Sequence, residues 1–402
     1  MGILKRAARG RPAGRAVVAV AVATLLASGC GSNTPVAPTT TSATKIPVHW
    51  SPDLPAVIAY QGGVGYGLAQ SEPTVRNSIQ NVGVSVVHVP VVLDNNGTAI
   101  AWSSTKISDA KCSIAPESAD PNGPKPAPDG TIGSNVYALS DETVLQGIVC
   151  DKTDPAYPNQ SESEASGSKL RKLVDLLKVG TSYNNAVERL WFDVELITDP
   201  VQKANTATPE QYVAAVVKAM NEARFDNVII SSYDWRTLPL VHSGFKVGTE
   251  QIPGLSTVPT VALVRADTFY PGSPWIGGLN LSEVHADLIE AAVKLGVDGI
   301  APDFLASQPL PQPEDQTPPG QQKPLLVSKQ FLDRAHKAGL KVFPQVINNL
   351  NDMDHQLKIC QGTDSQLHLD QCVDGIITAY PDVLDTELGT LGANRPAKLS
   401  PR

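Results

Sequence analysis

Three residues able to do chemistry sit close together on two apolar runs: His88 in Val-Val-His-Val-Pro, and Asp193 and Glu195 two apart in Trp-Phe-Asp-Val-Glu-Leu. An imidazole beside two carboxylates is a candidate ligand set for a soft cation; an isolated imidazole on such a strand also serves as a hydrogen-bonded core residue. Other chemistries lack their motifs. The chain has no Gly-x-Ser-x-Gly elbow, no His-Glu-x-x-His pair and no Walker sequence. Gly62-Gly63-Val64-Gly65 follows a strand-like run, yet the helix start and acidic partner of a dinucleotide site are missing. Asn-x-Ser/Thr triplets at Asn96, Asn159 and Asn280 add nothing to this reading.

Five cysteines are present. Cys30 closes an N-terminal leader, which leaves Cys112, Cys150, Cys360 and Cys372, an even set that suits an oxidising compartment. Of three possible pairings, Cys112 with Cys150 and Cys360 with Cys372 is favoured, because each pair brackets one loop-rich segment. No two of them have the close spacing of a zinc site.

The residues between must be carried by a scaffold, and the apolar pattern supplies one. Eight short β-branched runs read as strands: Ala56 to Tyr60, Val84 to Leu93, Leu190 to Leu196, Asn227 to Ser232, Thr260 to Arg265, Val297 to Phe304, Leu340 to Ile347 and Val373 to Tyr380. They are continuous rather than alternating, as strands buried on both faces of a parallel sheet are. Amphipathic segments separate them. Thr208-Pro209-Glu210-Gln211 offers an N-cap, a first-turn proline and a capping-box glutamine; Glu283 to Leu295 and Ser328 to Ala338 repeat the pattern, the latter ending at Gly339. Strand-helix alternation with right-handed crossovers predicts an α/β fold, a (β/α)8 TIM barrel. Two excursions interrupt it: a long insertion after strand 2 (residues 105–168) and a Pro-rich loop after strand 6 (308–323). Both follow strands, on the face where barrels place their sites, and the first is expected to cap the mouth.

Residues 1–29 carry five cations and no acid, then an apolar run from Ala16 to Leu26 that is too short to span a bilayer as a helix. Leu26 to Cys30 (Leu-Ala-Ser-Gly-Cys) resembles the lipobox of bacterial lipoproteins, which implies cleavage, diacylation of Cys30 and an extracytoplasmic protein held on the cell membrane. Residues 30–47 read as an extended tether and 48–402 as the folded part. Without the leader, 27 cations face 40 acids, a net charge of −13 that excludes nucleic acid as a partner.

Longer stretches resemble a known family. Ile58 to Ile79 and Gly83 to Ser104 look like the opening of glycerophosphodiester phosphodiesterases, which share the phospholipase C-like phosphodiesterase barrel. Trp191 to Thr198 and Asp226 to Asp234 resemble internal strands, and Ala335 to Met353 with Val373 to Leu384 resemble the last two. The resemblance spans residues 55 to 385 and implies the same barrel. It also implies a site: two His as acid and base, an Arg on the phosphate, and Ca²⁺ or Mg²⁺ held by carboxylates. Position by position, His-Arg-Gly is Tyr60-Gln61-Gly62 here, the paired metal carboxylates fall at His88 and Pro90, and the second His falls at Ser103 beside Trp102. Glu195 is retained, the following Lys is Ile197, and two late positions are Gln345 and Ala379. A general acid or base contributes roughly 10²- to 10⁴-fold, so losing both predicts no hydrolysis.

The expected mouth comprises Tyr60, Gln61, His88, Trp102, Ser103, Asp193, Glu195, Arg265, Asp303, Gln345 and Tyr380. It is neutral, aromatic and amide-lined, and is suited to a polar headgroup or polyol, with Arg265 the expected partner of Glu195. The function predicted is a membrane-anchored binding or scaffold protein of the cell envelope, without cofactor, that engages a headgroup or an envelope protein. The alternative is a divergent phosphoric diester hydrolase of lipid metabolism with a rebuilt site in which Glu195 and His88 hold Ca²⁺ or Mg²⁺.

Overall fold

The computed structural model describes residues 55–161, 167–303, 327–361, 368 and 371–402. Packing divides the chain into Met1–Lys45 and Ile46–Arg402, and every described residue belongs to the second unit. The leader, Cys30, the whole of the tether and the Pro-rich loop 308–323 lie outside the described residues. Among the described residues no helix is long and apolar enough to cross a membrane.

Eight parallel strands form the centre: β1 (Ala56–Ala59), β2 (Val86–Leu93), β3 (Trp191–Leu196), β4 (Val228–Ser232), β5 (Thr260–Val264), β6 (Gly299–Pro302), β7 (Lys341–Val342) and β8 (Gly375–Thr378). They pair in chain order, and β1 pairs with β8. Between β7 and β8, Asp374 N–H donates to Val342 O, Ile377 N–H to Pro344 O and Ile347 N–H to Ile377 O, which closes the ring. The predicted seventh strand, Leu340 to Ile347, is therefore shorter as a ladder. Pro344 has no N–H to give, and the chain beyond it bonds to β8 through single contacts.

A helix follows each strand: α1 (Glu72–Asn77), α2 (Leu173–Thr181), α3 (Pro209–Ala223), α4 (Leu238–Ser243), α5 (Leu288–Leu295), α6 (Lys329–Lys337), α7 (Leu350–Lys358) and α8 (Pro381–Thr390). The Thr208–Gln211 capping box forms as read, and Gly339 takes φ +81° after α6. The Glu283 to Leu295 helix is corrected. Leu281–Val284 is a short 3-10 turn, His285 and Ala286 adopt positive φ, and α5 starts only where the Asp287 carboxylate accepts Glu290 N–H.

Outward residues such as Val87, Phe192, Val194, Ile230 and Ala262 pack beneath the helices, while Ile58, Val86, Trp191, Ile229, Leu263, Phe343 and Ile377 fill the barrel interior. Both strand faces are buried, which is why the strands read as unbroken apolar runs.

The insertion after β2 is wider and more ordered than its composition suggests. Ala99–Ala101 runs antiparallel to the end of β2 and pairs in turn with Arg171–Lys172. Between them Val92, Ile100, Trp102, Ile107, Val136 and Ile148 bury a second small core, and a Ser113–Ile114/Ile148–Val149 ribbon is bridged by Cys112–Cys150. Cys360–Cys372 is the second disulfide, as the favoured pairing has it.

Candidate functional site

Side chains two apart on a strand share a face, so the residues just past the apolar interior rise together at the carboxyl ends of the strands. Tyr60 after β1, Glu195 on β3, Tyr233 after β4, Arg265 after β5, Asp303 after β6 and Gln345 after β7 surround a cavity of about 440 Å³. Ser103, Asp199, Trp275 and Asn348 complete its wall, and Tyr157 reaches in from the insertion. Gln160 fixes that reach, since its amide donates to Val64 O and Gly67 O on the loop after β1.

Below the cavity floor lies a buried ionisable group. His88 is fully buried; its Nδ1 accepts the Gln61 N–H at 3.3 Å, and Nε2 is 3.2 Å from a Glu195 oxygen, an ion-pair contact rather than an aligned hydrogen bond. Burial works against the imidazolium, as does the Gln61 N–H, which needs a lone pair on Nδ1, but Glu195 and Asp193 outweigh burial and His88 titrates above its ordinary value. Burial pushes Asp193 up, with the His88 charge only partly opposing, and one Asp193 oxygen has no partner among the described residues. Tyr60 lies flat on His88, ring centroids 5.1 Å apart, which separates it from the cavity.

These residues do not fit a divalent-cation cage. His88 Nδ1 is taken by the Gln61 N–H, Pro90 offers no donor opposite Glu195, and among the described residues no three His, Cys, Asp or Glu side chains group as ligands.

Arg265 is the one cation in the described lining, and it does not pair with Glu195 as the sequence suggested. Its Nε donates to Asp267 at 3.0 Å, two residues away, while its guanidinium lies 4.3 Å above the Tyr233 ring. The mouth is accordingly not made of neutral groups alone, because Glu195, Asp199, Asp303 and the Arg265 guanidinium all stand in its described lining. The phenols do not add charge. Burial and Glu195 raise Tyr60 and Tyr233 far above physiological pH, and burial with Asp154 pushes Tyr157 up to about 12. Gln345 donates its amide to the Tyr233 hydroxyl at 3.1 Å and to Ala301 O at 3.0 Å.

Of the residues expected at the mouth, Tyr60, Ser103, Glu195, Arg265, Asp303 and Gln345 line it. His88 and Asp193 lie buried under it. Gln61 turns away at φ +50° and is buried; Trp102 packs in the insertion core with its indole N–H on Lys106 O; Tyr380 sits edge-on to Tyr66, outside the cavity. Tyr157, Tyr233, Trp275, Asn348 and Asp199 were not anticipated. Tyr233 alone had a signal, since it continues the inward phase of Ile229 and Ser231.

No protein-family model and no curated protein matches the chain. Solved structures do match, and they define the fold class as that of the glycerophosphodiester phosphodiesterase barrels. A protein named as a glycerophosphoryl diester phosphodiesterase from Silicibacter pomeroyi aligns with a TM-score of 0.61 and 17% identity, over 86% of this chain and 97% of its own. An Oleispira antarctica phosphodiesterase solved with the product sn-glycerol-3-phosphate aligns at 0.51 and 14%, over 84% and 97%. One named as a glycerophosphoryl diester phosphodiesterase from Agrobacterium tumefaciens aligns at 0.51 and 13%, over 84% and 99%. At these identities the likeness is one of fold.

Proposed function

We propose that this barrel is a non-hydrolytic binding protein of the cell envelope, lipid-anchored through Cys30, whose mouth takes a hydroxyl-rich ligand such as a sugar or the polyol part of a headgroup. One observation carries the reading: among the described residues no imidazole lines the cavity, and the nearest, His88, is buried beneath Tyr60 and paired with Glu195. Cleaving a phosphodiester needs an acid and base at the reacting atoms and positive charge on the phosphate. Arg265, the one cation in the described lining, is held by Asp267 and stacked on Tyr233, so the mouth presents no cluster of positive charge to a phosphate. Neutral phenols, an indole and amides around a cavity of about 440 Å³ suit ring stacking and hydroxyl hydrogen bonds, and that volume lies in the range of small-molecule sites.

The test is release of glycerol phosphate from glycerophosphodiesters by purified protein with Ca²⁺ or Mg²⁺, beside Glu195→Ala. No turnover is expected from either. Cation-dependent turnover lost in Glu195→Ala would replace this reading with a divergent phosphodiesterase built on a relocated site. The anchor is tested separately: Cys30→Ser is expected to move the protein from the membrane fraction to the soluble one.

A further inference from the structure

A second cleft, which shares no lining residue with the mouth, lies where the insertion meets the loop after β1, and Gln70 is its unusual member. Gln70 is 3% exposed, and neither its amide nitrogen nor its amide oxygen has a partner among the described residues. Its backbone is also held at φ +54°, a left-handed conformation that glutamine seldom adopts and that neighbours must enforce, here partly through Gln70 N–H on Gln61 O. A buried amide with both ends unsatisfied is costly, so such a group is the place to look for a missing partner.

The cleft it lines measures about 30 Å³, more than the roughly 10–15 Å³ that one water needs. Ser71, Gln160 and Ser168 also line it, and its charged lining is strongly basic for a chain of net charge −8: Lys111, Lys152, Lys169 and Arg171 against Asp154 alone. Lys111 is taken by Asp154 at 3.0 Å. Lys152 spends two of its three donors on Asp109 O and Cys112 O, and Lys169 one on Gln146 O. Arg171 approaches Glu72 only at 3.9 Å. Donors therefore remain on cations whose positions are set by backbone carbonyls, and Cys112–Cys150 holds the insertion side of the cleft together.

We infer that this cleft binds a small oxoanion, with the Gln70 amide N–H and the Lys152, Lys169 and Arg171 side chains as donors. A phosphate group, as inorganic phosphate or as part of an anionic lipid headgroup, has that chemistry. The site is independent of the mouth and of whether the mouth hydrolyses anything.

Thermal unfolding of the intact protein in sodium phosphate and in sodium chloride at matched ionic strength tests it. Phosphate stabilises most proteins by exclusion from their surface, so the readout is the difference between wild type and variants. Gln70→Leu is expected to raise the midpoint in chloride, because it removes an unsatisfied amide, and to lose the extra stabilisation by phosphate, with an affinity loss of about tenfold or more. Lys169→Gln with Arg171→Gln, at sites where folding is not at stake, should weaken the phosphate effect without the rise in chloride. Co-sedimentation of the Cys30→Ser protein, which lacks the anchoring thiol, with phosphatidylglycerol vesicles, lost when the same substitutions are added, would assign the headgroup form; stabilisation by phosphate without co-sedimentation would assign the free anion. A phosphate effect equal in wild type and all variants, or none beyond chloride together with no co-sedimentation, overturns the site.

Discussion

Glu195 and His88 show how the neighbours of a buried carboxylate decide what it can do. With Pro90 opposite it, Glu195 has a single buried partner, and the fate of that pair sets a pH signature. His88 holds its proton more tightly folded than unfolded, so the pair's stabilisation is present below the ordinary imidazole value and is lost as pH rises through the folded one. Glu195→Gln should cost about 3 kcal/mol in mildly acid solution and progressively less in alkaline solution, as read from urea midpoints. The His88 imidazole should titrate lower by NMR; an unchanged titration would mean that the pair is not formed. Asp374 has the opposite sign. Burial opposes its charge, but His336, Lys341 and the Val342 N–H outweigh burial and hold its carboxyl below the usual range, so its contribution is lost as pH falls. Asp374→Asn should cost about 2 kcal/mol near neutrality, with the difference from wild type closing towards acid pH. Glu195 was legible because strand phase points it inward. Arg265 was misjudged because the nearer Asp267 competes for it, and Tyr157 was invisible because only the Gln160 anchor, almost a hundred residues from Val64, brings it to the mouth.

At the level of elements, local chemistry was readable wherever it was local. Thr208, Gln211 and Pro209 state the start of α3 outright, and both capping-box bonds form. Thr208→Ala should therefore lower stability by about 1 kcal/mol, visible as a small fall in the thermal midpoint with little effect on ligand binding. The α5 start was misplaced because Glu283 imitates a first-turn acid, whereas Asp287, four residues later, makes the cap. The insertion was harder still. Of its four short strands, Ala99–Ala101 pairs with β2 and Arg171–Lys172, and Ser113–Ile114 pairs with Ile148–Val149, so none of these two- and three-residue strands carries a periodicity of its own. A small core clipped by Cys112–Cys150 should open as a unit. The double variant Cys112→Ser/Cys150→Ser is expected to speed amide exchange across residues 105–150 while β3 to β5 keep their protection. Equal loosening of the barrel strands would show that the insertion is not a separate cooperative piece.

Across the whole molecule, the barrel was the most legible feature, since eight buried strands joined by helices leave few other topologies. The character of its mouth was not, because strand phase says which residues point inward but not which charges find partners. Carboxylates share the described lining with a single guanidinium that is itself held by Asp267, so on a chain of net charge −8 the mouth sets a field that does not favour entry of an anionic diester. A neutral polyol meets no such barrier, and this gives the two ligand classes different salt responses. Affinity for a neutral sugar, measured by calorimetry, should be nearly independent of ionic strength. Any residual affinity for a glycerophosphodiester should start weak and strengthen severalfold as salt screens the carboxylates, because at about 0.15 M the screening length falls to about 8 Å. If the diester instead bound tightly in low salt and weakened as salt rose, attraction rather than repulsion would govern the cavity, and the polyol reading would fail.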